Sequence, residues 1–218
     1  MQVTSKLPNI DSEAKPAEHQ GGRLPISRYA LFLLPCLIGV TLDLTTKWYM
    51  FGKYFDPNSL SEQKKHFCWI DGVFGIQTST NPGALFGIGS GHQWLFAIFS
   101  IVALIGILVW LFFFRAVQDR WLAFALGLIS GGILGNLYDR VGLGYVATYP
   151  IEIKNNVRDW ILFELDGVPY FDPWPNFNIA DSVLVAGAIM LFIHAIFYGE
   201  PDTAIDPGDP GLPGTKPE

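Results

Sequence analysis

Four long apolar runs alternate with polar segments along the chain, and they predict helices over residues 28–51, 94–114, 121–138 and 178–198. The second and third runs hold no charged residue over 21 and 18 positions. About 20 apolar residues are enough for a helix to cross the hydrocarbon core of a bilayer, which is roughly 30 Å thick. The pattern therefore predicts an all-α membrane protein with four transmembrane helices.

The longer connections between these runs have their own patterns. Within residues 52–92, β-branched and aromatic residues interrupted by glycine at positions 69–78 predict short strands. We expect these strands to form a small β platform in the outer loops. Residues 141–177 form a second long connection, which we expect to cover a cleft.

The two ends of the chain differ from the rest in composition. Residues 1–27 and 199–218 are rich in Pro, Gly and polar side chains and predict disordered tails around one membrane domain at 28–198. Arginines before the first helix and around the short connection between helices two and three place both tails in the cytoplasm by the positive-inside rule. These arginines are Arg23, Arg28, Arg115 and Arg120.

Composition and charge narrow the class of protein further. Charged residues make up 16% of the chain, whereas an ordinary soluble domain has about 25%. The tails hold 8 of the 20 acids and 4 of the 14 bases, so residues 28–198 carry 12 acids and 10 bases. The bases are scattered, which argues against a nucleic-acid partner. Cys36, Cys68 and the four histidines do not cluster, so we expect no metal site.

Four polar clusters adjoin the apolar runs, at residues 43–47, 81–86, 136–140 and 177–182. The predicted topology places all four on the outer side of the membrane. An ionisable side chain at such a position is a functional hypothesis by default. Lys47 also has a simpler interpretation, as a helix-end partner of Asp43 that snorkels to the membrane surface.

The chemistry available in these clusters is that of carboxylates, amides and an arginine. Two carboxylates close together do not both ionise easily, so one can serve as acid and the other as base in peptide hydrolysis. A structural polar network is one alternative. A small transporter that uses Asp43, Asp139 and Asp181 as an ion path is another. Lipid-phosphate hydrolysis would need an outward histidine, and only His66 and His92 are available.

The four clusters resemble, in order, the signature blocks of the bacterial lipoprotein signal peptidases (signal peptidase II). They read Asp43-Leu44-Thr45-Thr46-Lys47, Asn81-Pro82-Gly83-Ala84-Leu85-Phe86, Gly135-Asn136-Leu137-Tyr138-Asp139-Arg140 and Phe177-Asn178-Ile179-Ala180-Asp181-Ser182. The resemblance implies an aspartic endopeptidase of the bacterial inner membrane, which globomycin blocks and which needs no metal or organic cofactor. Its implied partners are membrane lipids and prolipoproteins, cut just before their diacylglyceryl-modified cysteine. We expect a monomer.

Two positions depart from the family pattern. Leu85 stands where the family has a second alanine. The first catalytic aspartate usually follows the Asp-Arg pair by about nine residues, which here gives Thr148. The better match is Asp159 in residues 157–163, and it requires an insertion of about eleven residues, which a long loop tolerates at low cost. Asp166, Asp172 and Asp139 are the rivals.

The resemblance thus implies a dyad of Asp159 and Asp181 that holds a water against the scissile carbonyl. Asn136, Arg140 and Asn178 would orient the dyad and the substrate backbone, while Asp139 would pair with Arg140. Asn81 and Gly83 belong to the block expected to bind substrate, and Asp43 and Lys47 would hold helix one against the site. The supporting residues are Asp43, Lys47, Asn81, Gly83, Asn136, Asp139, Arg140 and Asn178.

Overall fold

Four helices dominate the computed structural model, which describes residues 26–57, 66–83, 89–165, 167–169 and 174–198. They are α1 (Ile26–Tyr54), α2 (Gln93–Leu108, continued by a π-helical turn over Val109–Phe113), α3 (Arg120–Arg140) and α4 (Ile179–Tyr198). By length and composition each is able to cross a membrane. The prediction of four membrane helices is therefore confirmed. The predicted tails lie outside the described residues, except that Ile26 and Ser27 belong to α1.

Three antiparallel strands form the predicted β platform. They are β1 (His66–Ile70), β2 (Phe74–Asn81) and β3 (Val157–Phe163), in the order β1-β2-β3. A short turn joins β1 to β2, and Gly72 lies there at φ 69°, in the region that favours glycine. The register between β2 and β3 shifts between Ile76 and Ser79, which marks a β-bulge. A small sheet beside the helix ends confirms the predicted fold class.

Glycines on α3 allow two other helices to approach it closely. A Cβ added at Gly131 would lie 2.9 Å from the carbonyl oxygen of Cys36 on α1. One added at Gly132 would lie 2.8 Å from the Cβ of Leu184 on α4. Because side chains would not fit at these points, α3 packs between α1 and α4 with its backbone near theirs. This packing brings the polar ends of the three helices together.

The start of α4 is fixed to the sheet by backbone hydrogen bonds. Phe177 donates its N–H to the carbonyl of Ile161 at 3.2 Å, and Ile161 donates its own to Phe177 at 2.9 Å. Phe51 of α1 is buried in one apolar cluster with Ile76, Trp160 and Ile161 of these strands. The first residues of α4 are therefore held directly beside β3.

Candidate active site

Asn178 and Asp181 form a reciprocal cap at the start of α4. Asn178 Oδ1 accepts the N–H of Asp181 at 2.9 Å, and Asp181 Oδ2 accepts the N–H of Asn178 at 3.2 Å. This arrangement is the capping box, in which two side chains three residues apart satisfy amide groups at a helix start. The cap fixes both side chains, and it leaves Asp181 Oδ1 and the amide nitrogen of Asn178 for other partners.

Asp159 lies on β3 and is almost completely buried, with 2% of its surface exposed. Its Oδ1 accepts a hydrogen bond from Asn178 Nδ2 at 2.7 Å. Burial, and then the nearby charge of Asp181, raise the pKa of Asp159 to about 8, against the lowering effects of Asn178, Lys47 and Asn81. A raised pKa favours the protonated form of Asp159, which makes it the candidate acid of the pair.

Two amides join the two carboxylates. Asn136 donates from Nδ2 to Asp181 Oδ1 at 2.7 Å, and its own Oδ1 accepts from Asn178 Nδ2 at 3.1 Å. Each aspartate thus accepts a hydrogen bond from one of these two side-chain amides, and the two amides contact each other. The structure brings together the four central residues that the sequence predicts, from α3, β3 and α4.

A buried ion network lies behind the amides. Lys47 is fully buried, with its Nζ 2.7 Å from Asp43 Oδ2, 3.1 Å from Asp139 Oδ2 and 3.0 Å from Asn136 Oδ1. Asp43 Oδ1 in turn accepts the N–H of Ala180 at 2.9 Å. Lys47 does not snorkel to the membrane surface, because its ammonium is enclosed by these acceptors. The pair instead connects α1 to α3 and α4.

The expected pairing of Asp139 with Arg140 is wrong. Asp139 Oδ1 accepts from Arg158 at Nε and lies 2.8 Å from its Nη2, while Oδ2 accepts the Arg158 N–H at 3.1 Å. Neighbouring residues on a helix point about 100° apart, because 3.6 residues make one turn. Asp139 therefore faces β3 while Arg140 faces the segment that holds Gly83. Arg158 is the partner that sequence reasoning missed.

Both carboxylates line a cavity of about 270 Å³ at the helix ends. Arg140 donates from Nη2 to the carbonyl of Gly83 at 2.8 Å, and Gly83 donates its N–H to Asn81 Oδ1 at 2.9 Å. Five lining residues were not predicted, namely Val157, Pro175, Asn176, Leu184 and Val185. A larger cavity of about 400 Å³ lies between α1 and α3, near Arg120, but no carboxylate lines it. The chemistry therefore belongs to the smaller cavity.

Three residues considered from the sequence are not described by the structure, and one that is described lies away from the cavity. Leu85, Asp166 and Asp172 lie outside the described residues. His92 precedes α2 and does not line the cavity. Within the described ranges, no group of three or more His, Cys, Asp or Glu could hold a metal ion.

Comparisons with known proteins identify relatives of this chain. The sequence model of the family described as Signal peptidase (SPase) II matches residues 36–197. A lipoprotein signal peptidase of Rhodopirellula baltica is 43% identical over 211 residues, covering 93% of this chain and 92% of the relative. One from Geobacillus thermodenitrificans is 31% identical over 175 residues, covering 80% and 95%. A bacterial membrane enzyme structure obtained in meso at 2.3 Å resolution has a TM-score of 0.55 and 28% identity, covering 75% of this chain and 85% of that one.

Proposed function

We propose a specific activity from one premise: the chain belongs to the signal peptidase II family. It is accordingly a multi-pass membrane peptidase. We propose that it removes signal peptides from lipid-modified prolipoproteins as an aspartic endopeptidase, cutting before the diacylglyceryl-modified cysteine. The observation that supports this most is the pair of aspartates joined by two amides in one cavity.

In the proposed reaction Asp159 acts first as the acid and Asp181 as the base. A water oxygen attacks the scissile carbonyl carbon, its proton passes to Asp181, and the proton of Asp159 passes to the carbonyl oxygen. The tetrahedral diol then collapses. The C–N bond breaks, the proton on Asp181 goes to the leaving amine, and a diol hydroxyl returns its proton to Asp159. The raised pKa of Asp159 favours its starting as the protonated member.

The remaining polar residues hold this pair and the substrate. Asn136 and Asn178 present their amide nitrogens to the two carboxylates, so rotation of either carboxylate would break a hydrogen bond. Arg140 and Asn81 line the same cavity, where they orient the substrate backbone. Lys47 and Asp43 hold α1 in place behind them. No metal or organic cofactor takes part.

The location of the cavity suits a substrate anchored by lipid. It lies where α3 ends and α4 begins, beside the β platform. Arg115 and Arg120 lie at the other end of the bundle, so the positive-inside rule puts that end in the cytoplasm. The cavity then opens at the outer leaflet of the bacterial cytoplasmic membrane, with both termini cytoplasmic, and a monomer contains the whole site.

The test is cleavage of a diacylglyceryl-modified prolipoprotein peptide by the purified protein. Asp159→Asn and Asp181→Asn, each checked for unchanged folding, should abolish cleavage, and globomycin should block the wild type. Asp166→Asn and Asp172→Asn are the matched controls and should remain active. Activity in either dyad variant would refute the assignment, and inhibition by EDTA would point to a metalloenzyme.

A further inference from the structure

Asn176 has an amide orientation that its surroundings determine. Its Nδ2 lies 2.7 Å from the carbonyl oxygen of Gln77, 3.0 Å from Gln77 Oε1 and 3.1 Å from Ser79 Oγ. The two ends of an asparagine amide look alike, so the hydrogen-bond network must assign them. A backbone carbonyl can only accept a hydrogen bond. The nitrogen of Asn176 must therefore face β2, and its oxygen must face another direction.

The β-bulge explains why this carbonyl is available. The register of β2 against β3 shifts between Ile76 and Ser79, so Gln77 lies in the irregular part of the ladder. Bulges expose backbone groups and redirect side chains, and they are common beside active sites. Asn176 immediately precedes Phe177, which is bonded to β3. The side-chain amide of Asn176 is therefore held by hydrogen bonds to β2, and its backbone is held beside β3 through Phe177.

The oxygen of this amide is an acceptor that faces away from β2. Asn176 lines the cavity together with Asp159 and Asp181. No described residue donates a hydrogen bond to Asn176 Oδ1. Arg140 also lines the cavity, and its buried Nη1 has no hydrogen-bond acceptor within the described residues. Beside the dyad, Asn176 thus supplies an acceptor and Arg140 a donor, which match the N–H and C=O groups of an extended peptide.

We infer that Asn176 Oδ1 accepts a main-chain N–H of the peptide substrate close to the scissile bond. Asn176 is then a substrate-binding residue, and it is rigid before the substrate arrives because β2 holds its nitrogen. This inference rests on the proposed peptidase function. The competing role is structural only, in which Asn176 does no more than satisfy the carbonyl that the bulge exposes.

A scan of the substrate backbone separates these roles. In a series of lipid-modified peptides, each amide near the cut except the scissile one is replaced by an ester, which removes one N–H donor. At one position the ester should raise the KM of the wild type about five- to tenfold, the effect of one lost hydrogen bond. Asn176→Ala should raise KM for the all-amide peptide by a similar factor and be insensitive to the ester at that position. Such non-additivity reports direct contact.

Ser79→Ala is the matched control, because it removes one acceptor of the Asn176 nitrogen and leaves Oδ1 unchanged. It should keep a KM near the wild-type value and the full ester effect. If no ester raises the wild-type KM, or if Asn176→Ala keeps the same ester effect, the inference is overturned. The ester scan of the wild type still tests the inference even if Asn176→Ala does not fold. Failure of the wild type to cut the all-amide peptide would instead overturn the proposed function.

Discussion

Replacing Asn178 by serine tests the electrostatics of the dyad while keeping the start of α4 intact. Serine is a good N-cap, so it can still accept the N–H of Asp181. It has no amide nitrogen, however, and the 2.7 Å hydrogen bond to Asp159 Oδ1 is lost. Asn178→Ser therefore separates the capping role of this residue from its contact with the carboxylate.

The size of the effect follows from that one hydrogen bond. The bond favours the ionised form of Asp159 and keeps the pKa below the value that burial and Asp181 alone would give. A hydrogen bond to a charged group is worth about 1.5–3 kcal/mol. One pH unit corresponds to about 1.4 kcal/mol, so the pKa of Asp159 should rise by roughly one to two pH units in the variant.

The assay is the pH dependence of kcat/KM for cleavage of a lipid-modified peptide. The mechanism needs a proton on Asp159, so wild-type activity should fall as pH rises through about 8. In Asn178→Ser this basic limb should move to higher pH, even though the maximal rate falls. Asn178→Ala should show the same shift together with a loss of stability of about 1 kcal/mol, since it also loses the cap. A basic limb that stays in place, or moves to lower pH, would refute the reasoning.

Three further predictions concern stability, measured as thermal unfolding in detergent. Lys47→Met should cost about 3–5 kcal/mol, because Asp43 stays buried without a cation and Asp139 keeps only Arg158. Lys47→Met with Asp43→Asn should be more stable than the single variant, and the reverse order would contradict this. Gly132→Ala should cost about 1–3 kcal/mol by forcing α3 and α4 apart. Gly106→Ala should be neutral or stabilising, because a Cβ there would meet no atom within 4 Å beyond its chain neighbours and its own helix backbone. Equal effects of the two substitutions would contradict the packing. Asp119→Ala should cost about 1 kcal/mol, because the side chain caps α3. Burial raises the pKa of Asp119, but hydrogen bonds with Leu122 and His194 bring it below the usual value. The stabilisation by Asp119 should therefore disappear as pH falls. A stability loss in Asp119→Ala that does not depend on pH would contradict this prediction.

The helices and the general location of the site could be predicted from sequence because both follow from local patterns. A run of apolar residues determines a membrane helix by itself, and the alternating direction of successive spans then places the polar clusters at one end of the bundle. The pairing of Asn178 with Asp181 is also local, since three residues separate them at a helix start. These features need no knowledge of the tertiary contacts.

Contacts between residues far apart in the sequence could not be predicted in this way. Arg158 and Asp139 are 19 positions apart, and their pairing depends on how the segment after α3 returns β3 to the helix end. On the strand, Arg158 and Asp159 alternate to opposite faces, so one meets Asp139 and the other meets Asn178. The role of Asn176 depends on a bulge in β2, which no periodicity reveals.

The spacing of Asp43 and Lys47 bears on how the protein enters the bilayer. Both residues lie on α1, four positions apart, and their side chains form an ion pair at 2.7 Å. Asp139 lies 92 positions after Lys47, so it does not yet exist when α1 leaves the ribosome. Because the lysine already has an acid on its own helix, the first span can insert with no net charge at this point. The later helices then replace lipid and water around a pair that is already neutral.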